Sequence, residues 1–127
     1  MDILDMIYDA LIADDYINTN AAGCIKFYEY PETGDMTGAY IVIDPMDTPT
    51  TIVFADDTWT RLDFLLQIDV WSKDRKLTDK LADKVRDLIW EHFGFRQTAG
   101  PKEYDKGVFR DARRYRGSLY REDFNNL

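Results

Sequence analysis

RLDFLLQIDVWSKDRKLTDKLADKVRDLIWEHFG, residues 61–94, is the stretch around which the chain is organised. Leu62, Phe64, Leu66, Ile68 and Val70 fall on every second position, and Arg61, Asp63, Gln67 and Asp69 lie between them. This period of two predicts a strand with one apolar face and one mostly polar face. Residues 72–76 break the run. Leu77, Leu81, Val85, Leu88, Ile89 and Phe93 then recur at helical spacing, which predicts an amphipathic helix closed by Gly94. A strand that feeds a helix packing back onto the sheet is a folding unit. The remaining segments pair with that strand or lie beside that helix.

Upstream, residues 2–14 read as a first helix, with rows Ile3, Ile7, Leu11 and Leu4, Tyr8, Ile12. Asp2 and Asp5 suit its positive end, Asp14 and Asp15 sit at its negative end and help mark its stop, and residues 18–23 carry turn chemistry. Residues 25–30 and 39–44 read as two strands, stopped by Pro31 and Pro45 and joined by a polar loop over 31–38, so an antiparallel hairpin is expected. Residues 45–50 are a second loop. Residues 51–55 are a short strand or an extension, and Asp56 and Asp57 make a turn into the long strand.

Downstream, residues 95–107 read as a long polar connection. Residues 108–115 and 118–121 read as two strands with Gly117 at their turn, and 122–127 as a loose tail. The expectation is one α+β domain over 1–127: a mainly antiparallel sheet with two helices on one face, in the order α-β-β-(β)-β-α-β-β.

Composition narrows the function. A chain of 127 residues with 45% hydrophobic content supports one packed core. No apolar run reaches the roughly 20 residues of a membrane helix, and the opening residues do not read as a secretory signal. The single cysteine, Cys24, leads into an apolar run and reads as a structural thiol in a reducing compartment. His92 is the one histidine, so neither a His/Cys metal cluster nor a nucleophile triad on a loop is expected. Glycine-rich phosphate loops are absent. No enzyme activity, cofactor or metal is expected.

The net charge of −8 is uneven: residues 1–57 hold twelve acids and one base, Lys26, whereas residues 58–127 hold fifteen bases and twelve acids. That split argues against a simple nucleic-acid binder and could let copies complement one another. Two charged surfaces stand out. Arg110, Arg113, Arg114, Arg116 and Arg121 crowd one strand, as an interface, as guards of an exposed edge, or as partners of the chain's own acids. Asp79, Asp83, Asp87 and Glu91 recur every four residues along the second helix, with Lys76, Lys80 and Lys84 three residues before the first three. This row is either a solvated face or an acidic ridge that meets the Arg strand of a neighbouring copy.

The segment Gln67-Ile-Asp-Val-Trp-Ser72 with its helix, then Tyr104-Asp105, Phe109-Arg110-Asp111 and Arg114-Tyr115-Arg116-Gly117, resembles the tail-terminator and tail-completion proteins of long-tailed bacteriophages. The similarity spans about residues 60–121, and the first half agrees in element order. The resemblance implies a small α+β subunit that forms a ring, usually a hexamer, at the head-proximal end of the tail tube. It implies as partners other copies, the major tail-tube protein and a head-completion or connector protein, with DNA passing through rather than being bound. It implies a virion location, with assembly in the host cytoplasm, and brings no catalytic residue or cofactor. A head-closure adaptor at the same joint and an acidic mimic of DNA are the alternatives.

Overall fold

A computed structural model describes residues 2–29, 38–55 and 58–120. Most of the expected loop at 31–38, the turn at Asp56 and Asp57, Arg121 and the tail at 122–127 lie outside the described residues.

The long strand β4 (Thr58–Ser72) is the axis of the sheet. Its apolar face is buried as the alternation demands: Phe64, Leu66, Ile68 and Val70 are each 2% exposed or less. Each such side chain contributes about 1.5–3 kcal/mol by leaving water. The strand runs into α3 (Arg75–Phe93), which Asp74 caps by accepting from the backbone N–H groups of Lys76 and Leu77. Ser72 and Thr78 hydroxyls hydrogen-bond at 2.6 Å and lock the corner. Gly94 ends the helix in the left-handed region, its N–H donating to the Trp90 carbonyl. Leu81, Val85 and Ile89 turn inward onto the sheet.

The first helix is two helices, α1 (Ile3–Ile12) and α2 (Asp15–Ala21). The Asp14 carboxylate accepts from the Ile17 N–H, so the residue expected to stop one helix starts the next. The polar run expected as a turn is mostly helix, anchored by buried Ile17 and Ala21. Three helices, rather than the expected two, therefore cover one face of the sheet.

The strands order as β1 (Ile25–Phe27), β2 (Tyr40–Pro45), β4, β7 (Val108–Tyr120) and β5 (Arg96–Thr98), with β3 (Thr50–Ala55) on β4 and β6 (Lys102–Asp105) on β7. The expected β1–β2 hairpin is replaced by a parallel pair, Ile25 beside Ile41 and Phe27 beside Ile43. Residues 28–39 supply about the dozen residues that a parallel return needs, and Ile25, Ile41 and Ile43 are buried in this pairing. All other pairs are antiparallel, as expected. The connection at 95–107 is not a bare loop, since it forms the edge strands β5 and β6.

Residues 108–120 are one strand, not two. Gly117 makes no turn: it sits against Phe95, where an added Cβ would stand 2.8 Å from the Phe95 Cα. Phe95 itself is buried and stacks on Phe64 at 5.7 Å between ring centres. Gly117→Ala should therefore lower stability by about 1–3 kcal/mol through overpacking. A denaturant titration with an unchanged midpoint would show that Phe95 yields freely.

Candidate interaction surfaces

The alternation of β7 divides the arginines between two faces. Asp111, Arg113 and Tyr115 lie on the helix side; Arg110, Ala112, Arg114 and Arg116 lie on the helix-free side.

On the helix side, Arg113 is held by the chain's own acids. Its Nη1 is 2.9 Å from Asp83 on α3, its Nε donates to Asp111 at 3.0 Å, and its Nη1 donates to Gln97 at 3.2 Å. Burial opposes the charge, but the hydrogen bonds and charges of Asp111 and Asp83 prevail and raise its pKa. Burial also pushes the Tyr115 phenol well up. The acidic row on α3 is largely occupied from within: Lys102 meets Asp79 at 2.7 Å, and Arg86 meets Asp83 at 3.3 Å and Asp87 at 3.0 Å. Glu91, at the end of the row, is exposed. Of the three readings of the Arg strand, pairing to the chain's own acids accounts for Arg110, Arg113 and, through Asp63 at 3.9 Å, Arg116. Arg114 and Arg116 are exposed.

On the helix-free side, Asp69 is fully buried in the middle of the sheet. Arg110 reaches across to it, Nε at 2.9 Å and Nη2 at 2.8 Å from the same carboxylate oxygen. Gln67 donates to the other oxygen at 2.9 Å and accepts from Arg114 at 3.2 Å. Small Ala112 stands opposite Asp69 in the register and leaves room for the arginines to fold over it. The Arg110 guanidinium also lies over Trp71, 5.1 Å from its ring centre, and contacts Glu103 at 3.2 Å. Burial raises the Asp69 pKa, and the Arg110 hydrogen bond and charge only partly offset it. The polar face of β4 is thus a roofed network. Asp69 and Gln67 read in the sequence as solvent-facing, and the facing arginines were the signal that they are not.

Past the end of β2, β3 and β4 extend as an arm that carries exposed Val53 and Phe54. Val53 has φ 53°, a strained conformation for a β-branched residue. The Arg61 guanidinium covers Tyr120 at 4.7 Å.

Among the described residues, depressions flank the sheet at several places. A groove of about 520 Å³ lies between α1 and the β2–β3 connection, lined by residues that include Asp2, Ile3, Tyr28, Met46, Asp47 and Phe64. A cleft of about 280 Å³ lies at the far end of α3, lined by Arg86, Asp87, Trp90, Phe95, Arg96 and Gln97. Among the described residues no group of three or more His, Cys, Asp or Glu could hold a metal ion. No described helix is long and apolar enough to cross a membrane. Cys24 is half-buried.

No protein-family model matches the sequence. No curated protein matches it either. The structure is similar to a chain of the solved structure "Virion of native gene transfer agent (GTA) particle", with TM-score 0.66 and 14% identity over 90% of this chain and 91% of that one. At that identity the likeness is one of fold.

Arg110 is the counter-charge of a buried carboxylate, so Arg110→Ala should cost about 3–5 kcal/mol at neutral pH. The fold holds Asp69 above its ordinary pKa, so this group's contribution is fully present below the ordinary value and is lost as pH rises through the raised one. Removing Arg110 raises it further. The deficit of the variant against the parent should shrink in mild acid, just above the ordinary carboxylate value of about 4. Denaturant titrations at the two pH values measure this, and equal deficits would contradict the assignment.

Proposed function

We propose that this chain is a structural subunit of a phage-like virion, and within it the ring that caps the tail tube. The observation that carries the reading is the fold, shared over nearly the whole length with a chain of a virion. The segments resembling the tail-terminator proteins supply the finer role: ending tube polymerisation and presenting the surface that docks the head. In this reading the chain performs no bond-breaking chemistry. It works by contact with other copies, with the tail-tube protein and with a head-completion or connector protein, in a hexameric ring. It resides in the virion tail and assembles in the host cytoplasm.

The physical arrangement supports a ring. A ring needs a heterologous contact, one patch meeting a different patch on the next copy. β1, which follows the acid-bearing helices α1 and α2, lies at one edge of the sheet, and β5, beside the Arg-bearing β7, lies at the other. The same basic end counts against an acidic mimic of DNA.

Electron microscopy of particles assembled without this chain tests the role. Overlong tail tubes are expected. Tubes of normal length attached to heads that lose their DNA would contradict a terminator and indicate an adaptor at the joint.

A further inference from the structure

Most of the ion pairs that the charge pattern offered to neighbouring copies are closed inside the chain, so a contact between copies must use other groups. Residues 2–29 hold six acids and one base, and residues 96–120 hold seven bases and three acids. β1, in the first set, and β5, in the second, are the opposite edges of the sheet. On the acidic side is the groove, with an apolar floor of Ile3 and Phe64, exposed Tyr28 and Met46 at its mouth, Asp2 and Asp47 on its wall, and no basic residue among the described residues of its lining. At the basic end, Trp90 projects from α3 with 57% of its surface exposed, between Arg86 and Arg96. Arg86 is engaged by Asp83 and Asp87, and exposed Arg96 makes no ion pair among the described residues.

We infer that the Trp90–Arg96 corner of one copy docks into the acidic groove of the next. This rests on the ring reading and names its contact. An aromatic flanked by arginine is the composition of an interface centre. The groove offers an apolar floor for the indole and carboxylates for the guanidinium. The levels also match. Arg96 lies beside Arg116, Arg116 beside Leu65, and Leu65 follows Phe64 of the groove wall. Corner and groove therefore flank the β4–β7 pair at one height along the strands, on opposite sides. A contact between features at one height carries copies around an axis instead of stepping along it, as a closed ring requires.

Sedimentation equilibrium of the full chain at low salt tests the contact, with the parent, Trp90→Ala, Arg96→Glu, Asp47→Lys and the double variant Arg96→Glu/Asp47→Lys. Asp47 is used because Asp2 also caps α1. Each single change should weaken association on the order of tenfold or more, and the double variant should restore most of it because the pair is reversed. Circular dichroism of each variant should match the parent. Association of the parent that none of the single changes weakens would overturn the docking and leave the ring reading standing. Single changes that weaken association without rescue in the double variant would overturn the charge pairing. A parent that stays monomeric at every concentration would overturn both. Met46 protected from oxidation equally in dilute and concentrated protein would show the groove filled without a second copy and overturn the proposal.

Discussion

The antiparallel pairing of β4 with β7, unbroken from Arg61–Tyr120 to Ser72–Phe109, sets everything else. A strand has a side-chain period of two, so one register assigns every residue of both strands to a face. A slip by one position would place Asp69 and Gln67 under the helices and Leu66 and Ile68 on the open side. The register is held from both faces. On one, Phe64, Leu66, Ile68, Val70 and Tyr115 close against α3 and its neighbours. On the other, Asp69 finds Arg110 and Gln67 finds Arg114. A buried carboxylate tolerates few arrangements, because losing its partner leaves a charge without water or counter-charge. The network therefore penalises wrong registers more than it adds to the stability of the right one.

The strand–helix unit at 61–94 was legible because both of its periods are local. The direction of the β1–β2 pairing was not. Residues 25–30 and 39–44 each read as strands, but nothing within a strand states whether its neighbour runs with it or against it, and either direction can bury the same three isoleucines. Gly117 misled in an instructive way. Glycine suits turns, yet here it is required by a tertiary contact with Phe95, which lies 22 positions earlier in the chain. Asp14 misled similarly, since an acid that ends one helix badly is a good cap for the next.

The surfaces were legible as residue types and illegible as partners. The arginines of β7 and the acids of α3 stood out, but their spacing could not show that Arg113 turns toward Asp83 of its own chain while Arg110 turns the other way. Trp90 and Arg96 drew no attention, because the apolar residues of α3 read as core and 95–107 as a loop. The fold puts those two residues side by side at the end of the sheet. What distinguishes them is exposure, which only tertiary structure reveals.

On the proposed function, this chain acts by fitting against copies of itself through surfaces of opposite charge. Negative-stain imaging of the purified protein, with native mass measurement at low and high salt, tests that most directly. Closed rings with a central hole are expected at low salt, loosening as salt rises. Single subunits at every concentration and salt, or open filaments in place of rings, would contradict it.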